Sequence, residues 1–189
     1  PTLNMTPDLL RFNFCTLKTF CFVVLLKATI TLNNRVNELN TIQVNLVIRE
    51  KSCGAVIFLK KEEQTKYLLL NYAAGHWDFV KGNVEANETE RETVLRELKE
   101  ETAITDARFI DAFKETIAYF YRRQGLTVHK EVVFFIIETP TEKVEISFEH
   151  IGYIWLDYKH AMEKLSFKNA KDVLQKTHDF LKKKEIVKD

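Results

Sequence analysis

Residues 82–104 read GNVEANETERETVLRELKEETAI, a segment rich in glutamate with regularly spaced apolar residues near its end. From residue 94 to residue 102 its apolar positions recur with helical spacing, because Leu98 follows Leu95 by three residues and Val94 by four. Charged side chains occupy the other positions. We therefore predict an amphipathic helix that packs these three apolar side chains against a core.

Three glutamates share another side of this helix. Glu97, Glu100 and Glu101 stand at i, i+3 and i+4, so their carboxylates project close to one another. Each like-charged pair costs roughly 0.2–0.5 kcal/mol, whereas a divalent cation would turn this repulsion into attraction. Clustered carboxylate oxygens suit hard cations such as Mg²⁺ or Mn²⁺. A solvated surface helix is the alternative, because arginine and lysine residues are interspersed.

The fixed positions of the stretch extend beyond the helix. Gly82 is followed after five residues by Glu88, and after seven more by residues 96–104, RELKEETAI. This spacing resembles the Nudix box, in which every fixed position matches except the last glycine, here Ala103. We expect this change to be mild, because the helix exit then needs only a backbone that an L-residue adopts readily. A positive φ there would make it costly.

The resemblance implies a fold and a chemistry. Nudix proteins are α/β/α sandwiches that hydrolyse a nucleoside diphosphate linked to another moiety, so we expect an α/β fold with a mixed β-sheet between helices. Breaking a phosphoanhydride requires neutralised phosphate charge and an oriented hydroxide, which bound Mg²⁺ or Mn²⁺ can supply. By resemblance, Glu100 and Glu101 are the main metal ligands, helped by a backbone carbonyl near Lys81 and Gly82, and Glu97 is a ligand or the general base.

Other acidic and basic residues receive roles from the same resemblance. Glu88 and Arg96 are expected to pair and to hold the loop against the helix, which is a structural role. Glu149, in the segment SFEH before a predicted strand, matches an additional acidic metal ligand or base outside the box. An exposed loop glutamate is the alternative for Glu149.

Segments outside the box narrow the resemblance. Residues 77–88, 147–156 and 167–181 look like the asymmetric diadenosine tetraphosphate hydrolases, and the likeness covers roughly residues 48–181. It implies cleavage of dinucleoside polyphosphates such as diadenosine tetraphosphate to ATP and AMP. One alternative is the same chemistry at the 5′ end of RNA, as a pyrophosphohydrolase or decapping enzyme. A catalytically silent nucleotide-binding module is another.

Substrate contacts follow from the same likeness. His76 and Lys81 would contact the polyphosphate, because both side chains can donate to phosphate oxygens. Tyr119, Tyr121 and Lys130 are candidates for stacking an adenine and holding the far phosphates. For His76 a structural histidine is the alternative, and for the tyrosines an ordinary position in a strand.

Strand-like and helical segments alternate along the remaining chain. Residues 52–59 and 66–72 are apolar runs that predict a buried hairpin. Residues 130–138, KEVVFFIIE, are typical of a central strand buried on both faces. Two strand-like pieces are predicted within 109–123, a strand at 151–156, and helices from 157 to 165 and from 169 to 184. This order fits a mixed sheet covered by helices on both faces.

Composition limits the classes of partner and compartment. With 189 residues, 46% hydrophobic and 29% charged, the chain suits one compact domain plus an appendage. A net charge of +1 gives no support for a large nucleic-acid-binding face, so we expect no DNA partner, and the small nucleotide substrate is what the resemblance implies. Cys15, Cys21 and Cys53 lack metal-site spacing and favour free thiols in a reducing, cytoplasmic compartment. The oligomeric state is left open.

The first 47 residues differ from the rest. They hold six of the 55 charged residues, and their apolar run at 20–26, FCFVVLL, is far shorter than the roughly 20 residues that span a bilayer. We predict an N-terminal extension at 1–47 and a Nudix domain at 48–189, with no membrane partner. The extension is interpreted as sequence attached to a domain that starts near residues 44–48, as a docking strand or helix, or as a membrane contact.

Overall fold

The computed structural model of the chain describes residues 47–61 and 64–187, which form an eight-stranded mixed sheet and three helices. The predictions for residues 1–46 lie outside this part, and the division into 1–47 and 48–189 stays a prediction. The strands are β1 (Val47–Lys61), β2 (Gln64–Tyr72), β3 (His76–Asp78), β4 (Val80–Asn83), β5 (Arg108–Phe109), β6 (Glu115–Arg123), β7 (Leu126–Glu138) and β8 (His150–Leu156). The helices are α1 (Glu90–Thr102), α2 (Tyr158–Lys164) and α3 (Lys168–Lys183).

Strands β1 and β7 form the centre of the sheet. They pair in parallel from Val47↔Thr127 to Phe58↔Glu138, and the other pairings are antiparallel. The main order is β3-β2-β1-β7-β5, with β4 beside β1, β6 beside β7 and β8 beside β2. The predicted hairpin of β1 and β2 and the predicted central strand at 130–138 are both confirmed.

Helices cover both faces of the sheet, so the predicted α/β/α architecture is confirmed. On one face, side chains of α1 such as Val94 and Leu98 pack on β1 and β7. On the other, Ala161 of α2 and Leu174 of α3 pack on alternate residues of the same strands. The near-continuous apolar runs of the central strands follow from this double burial.

The first turn of α1 is capped as its sequence allows. The Thr89 side chain accepts a hydrogen bond from the Glu92 N–H, and the Glu92 carboxylate accepts one from the Thr89 N–H, which is a capping box. Val94 and Leu98 are fully buried, but the prediction for Leu95 is wrong, because 43% of it is exposed. Leu95 lies one step round the helix, beyond the edge of the buried face.

The end of α1 contradicts the expectation for Ala103. This residue has φ 59° and ψ 9°, the left-handed conformation, and its N–H donates to the Lys99 carbonyl at 2.9 Å. The change from glycine is therefore not mild, because a Cβ in this conformation crowds the backbone and costs about 1–2 kcal/mol.

The predictions drawn from composition concerned membrane spans and cysteines. Among the described residues, no helix has the length and apolar character needed to cross a membrane. Cys53 is a free, fully buried thiol in β1, and burial raises its pKa to about 11. A thiol of this kind behaves as a small apolar side chain.

Candidate active site

A loop from β4 to α1 forms one wall of the site, and a two-point ion pair holds it. Arg96 donates from Nε to Glu88 Oε1 at 2.6 Å and from Nη2 to Glu88 Oε2 at 3.0 Å. Arg96 Nη2 also donates to the Asn83 carbonyl at 2.9 Å. The Arg96 guanidinium holds the pKa of Glu88 at about 2, so this carboxylate stays charged and the loop stays fastened to the helix.

Glu97 projects from α1 onto the backbone at Gly82. A Cβ built on Gly82 would lie 1.8 Å from Glu97 Oε1, so only glycine leaves room for this carboxylate. Arg96 Nη1 donates to the same oxygen at 2.6 Å. Burial nevertheless raises the pKa of Glu97. This close approach explains why the first position of the box is a glycine.

Glu101 is the most deeply buried of the three helical glutamates. It is 4% exposed, and within the described chain its Oε2 has no hydrogen-bond partner. His150 Nε2 lies 3.8 Å from its Oε1. Burial raises the pKa of Glu101 to about 9, and the charges of Glu97 and Glu149 add to this effect although the Lys81 ammonium opposes it. Such a carboxyl is costly to ionise until a cation joins it.

The remaining acidic candidates lie at the rim of this cluster. The Glu100 side chain is 59% exposed, and its Oε2 is 3.2 Å from Arg96 Nη1. Glu149 is exposed in the loop before β8, which is held near α1 because Ser147 N–H donates to the Glu101 carbonyl at 3.3 Å. The charge of Glu149 reaches both Glu97 and Glu101. These carboxylates therefore share one electrostatic environment.

The carboxylates of this cluster suit a divalent cation, although their side chains are not arranged around one common position. Across the described ranges, no group of three or more His, Cys, Asp or Glu side chains is arranged to hold a metal ion as it stands. Arg96 Nη1 bridges Glu97 Oε1 and Glu100 Oε2, so both carboxylates would have to turn from the guanidinium. The unpaired buried oxygen of Glu101 and the all-carboxylate chemistry fit a hard cation.

A second group of side chains adjoins Glu101 from β2, β3 and β4. Lys81 Nζ lies 2.9 Å from Asp78 Oδ2 and 4.1 Å from the centre of the Tyr72 ring. His76 stacks on Tyr72 with ring centres 4.8 Å apart and planes 5° from parallel. Burial and the charge of Lys81 lower the pKa of His76, so the imidazole is neutral at pH 7. Lys81 is therefore the cation of this group, and His76 is a neutral hydrogen-bonding side chain.

The candidates from β6 and β7 form a separate cluster. Tyr119 and Tyr121 lie on one face of β6 with ring centres 6.3 Å apart. Lys130 donates to Asn83 Oδ1 at 2.7 Å, which joins this cluster to the loop that Arg96 holds. Strands β6 and β7 are antiparallel neighbours, called the β6–β7 hairpin below, and the Asn83 hydrogen bonds link this hairpin to the loop beside the acidic cluster.

Sequence reasoning missed some residues at this site. His150 is buried against Tyr72, with ring centres 4.4 Å apart, and burial lowers its pKa to about 4. It stands beside Glu149 within a segment already marked by resemblance, and that position was the available signal. Asp78 and Asn83 act through Lys81 and Lys130, and those contacts depend on strand pairing that no local pattern shows.

Known proteins resemble this chain in sequence and in fold. The profile of the NUDIX domain matches residues 44–177. The asymmetrical bis(5′-nucleosyl)-tetraphosphatase of Mus musculus is 35% identical over 143 residues, which cover 69% of this chain and 95% of the mouse protein. The dihydroneopterin triphosphate diphosphatase of Haemophilus influenzae is 25% identical over 146 residues, which cover 72% of this chain and 87% of that protein. A crystal structure of a C. elegans Ap4A hydrolase binary complex has a TM-score of 0.60 and 28% identity, covering 70% of this chain and 97% of that one.

Proposed function

This chain belongs to the NUDIX domain family, and on that premise we propose that it is a hydrolase of dinucleoside polyphosphates such as diadenosine tetraphosphate, giving ATP and AMP. The observation that carries the proposal is Glu101, a buried carboxyl with an unpaired oxygen beside Glu97 and Glu149. The name of the mouse relative supports the substrate class. Nudix hydrolases generally use divalent metal ions, and we propose Mg²⁺ or Mn²⁺ here.

The acidic cluster would hold the metal and manage the proton of the attacking water. Glu97, Glu100 and Glu101 are the proposed ligands, together with Glu149 and a backbone carbonyl at Lys81 or Gly82. A bound divalent ion supplies neutralisation of phosphate charge and a more acidic water. Glu97 and Glu149 are the candidates for accepting that proton, because both are carboxylates of the cluster and neither is as deeply buried as Glu101.

Lys81 and His76 would bind the polyphosphate. Asp78 holds the Lys81 ammonium in place, and the Tyr72 ring lies under it, so the charge is oriented before substrate arrives. His76 is neutral and can donate from one ring nitrogen to a phosphate oxygen without adding charge. In the β6–β7 hairpin, Tyr119 and Tyr121 present half-buried rings on which a nucleobase can stack.

A substrate panel tests the proposed function. The protein is assayed in Mg²⁺ with diadenosine tetraphosphate, dihydroneopterin triphosphate and 5′-triphosphorylated RNA, with product identification by chromatography. We expect the highest kcat/KM on diadenosine tetraphosphate, with ATP and AMP as products, and no turnover in a chelator. Faster turnover of the RNA would replace this function with 5′-end processing. Nucleotide binding without turnover would show an inactive nucleotide-binding module.

We also propose a reducing, cytoplasmic location. Cys53 supports it, because this free thiol is fully buried and unpaired with another cysteine. Fluorescence microscopy of the tagged full chain is expected to show cytoplasmic signal. Signal confined to a secretory compartment or an organelle would refute this location.

A further inference from the structure

Glu50 is a buried carboxylate outside the Nudix box, and it lies beneath side chains of the β6–β7 hairpin. The Glu50 side chain, on β1, is only 4% exposed. Its Oε2 accepts a hydrogen bond from the Tyr121 hydroxyl at 2.8 Å and lies 3.4 Å from Lys130 Nζ. Its Oε1 lies 2.7 Å from Arg123 Nη2. Glu50 thus contacts a phenol and two cations that come from β6 and β7.

These contacts connect the hairpin to the acidic cluster. Lys130 binds the side chain of Asn83, and the carbonyl of Asn83 binds Arg96, which in turn contacts Glu97 at 2.6 Å. Ser52 completes the connection from β1 by donating to Asn83 Oδ1 at 2.9 Å. The charge of Lys81 also acts on Lys130, so the acidic cluster and the β6–β7 hairpin border the same site.

Glu50 sets the balance of charge at the part of the site formed by the β6–β7 hairpin, called its hairpin end. Burial would raise the pKa of Glu50, but the Tyr121 hydrogen bond and the charges of Lys130 and Arg123 outweigh burial and hold it below its usual value. The carboxylate is therefore ionised and cancels one of the two positive charges beside it. A terminal phosphate placed here would compete with Glu50 for both cations, whereas an uncharged nucleoside would stack on the tyrosines without disturbing them.

We propose that Glu50 is a specificity-determining residue, whose buried charge makes the hairpin end of the site accept the second nucleoside of a dinucleotide and disfavour a terminal phosphate. This inference rests on the proposed function. Substitution Glu50→Gln keeps an oxygen for the Tyr121 hydroxyl and removes the charge. Lys130 and Arg123 then act on an incoming phosphate without a competing carboxylate.

The test compares two nucleotides with the same phosphate chain. Diadenosine tetraphosphate carries adenosine at both ends, whereas adenosine 5′-tetraphosphate ends in a free phosphate. For Glu50→Gln we expect KM for adenosine 5′-tetraphosphate to fall roughly fivefold, as one unit charge at about 8 Å and an effective dielectric of about 40 implies, with kcat unchanged. Glu50→Asp, which keeps the charge, should retain the parental preference.

Two other variants control the comparison. Glu131→Gln makes the same charge change on the opposite face of β7, where Glu131 lies 3.9 Å from Lys51, and should leave both KM values as they are. Arg123→Met keeps Glu50 and removes a 41% exposed cation, so it should raise KM for adenosine 5′-tetraphosphate. It tests the same charge balance if Glu50→Gln does not fold.

Distinct outcomes separate the two proposals. An unchanged ratio of the two KM values in Glu50→Gln, or a KM for adenosine 5′-tetraphosphate that rises, overturns the role of Glu50. Failure of the parental protein to hydrolyse either nucleotide overturns the proposed function instead. In that case the dissociation constants of both nucleotides, measured by calorimetry for the parent and Glu50→Gln, decide the role of Glu50 by the same ratio.

Discussion

Replacing Ala103 by glycine should stabilise this protein. Ala103 ends α1 at φ 59°, where a Cβ costs about 1–2 kcal/mol and glycine pays nothing. Ala103 is exposed, and the hydrogen bond from its N–H to Lys99 is made by the backbone, so the substitution leaves that bond in place. Glycine also gains about 0.5–1 kcal/mol of freedom in the unfolded chain, which offsets part of the benefit. We expect a net gain of about 0.5–1 kcal/mol.

Urea unfolding and thermal melts of the full chain measure this gain. The melting temperature should rise by about 1–4 °C for a protein of this size. Ala118→Gly is the matched control, since Ala118 is exposed in the extended strand β6, opposite Glu131, and glycine there should lower stability by about 0.5–1 kcal/mol. If Ala103→Gly matched the control in sign, the left-handed end of α1 would not be the source of strain.

Gly82→Ala should lower kcat far more than stability, because its Cβ would lie 1.8 Å from Glu97 Oε1 and push that carboxylate away; steady-state kinetics beside urea unfolding check this, and unaltered kcat would refute it. Glu88→Gln should flatten the acid end of the stability profile. The Arg96 ion pair depresses the pKa of Glu88 from 4.5 to about 2, so its contribution is present above pH 4.5 and lost as pH falls toward 2; urea titrations across that window should show the parent losing more stability than the variant. At pH 8 without divalent ions, Glu101→Gln should raise the melting temperature, because burial raises the pKa of Glu101 from 4.5 to about 9 and the parental protein loses stability as pH climbs through that window. Mg²⁺ should then stabilise the parent and not the variant in a thermal shift assay, and equal shifts would contradict a metal role for Glu101.

Local patterns were enough to predict most of the elements, although the short strands β3 and β4 were not predicted. The apolar run of β7 and the spacing of Val94 and Leu98 each predict burial from the sequence of a single strand or helix, and the structure buries these residues. The same reasoning failed for Leu95, because periodicity indicates a stripe without showing how wide the contact with the sheet is. It failed for Ala103 because residue type does not reveal φ, and tertiary packing holds the backbone in a conformation that alanine disfavours.

Some residues of the candidate site could be predicted from local spacing, whereas others required the structure. The carboxylates of α1 could be named from spacing, because residues three and four apart on a helix are neighbours. Glu50 could not, since its partners Tyr121 and Lys130 lie 71 and 80 residues away and meet it only through the pairing of β1, β7 and β6. The positions of Glu100 and Arg96 also required the structure, because the guanidinium bridges glutamates that spacing alone assigns to a metal.

The most direct measurement is the rate of diadenosine tetraphosphate hydrolysis in Mg²⁺ by the parent, Glu101→Gln and Glu163→Gln. Glu163 is an exposed glutamate of α2, so the same chemical change there should leave the rate at the parental value. Loss of a metal ligand removes stabilisation of the transition state, and Glu101→Gln should therefore be slower by orders of magnitude while retaining its fold. Hydrolysis by Glu101→Gln at the parental rate would contradict the proposed site.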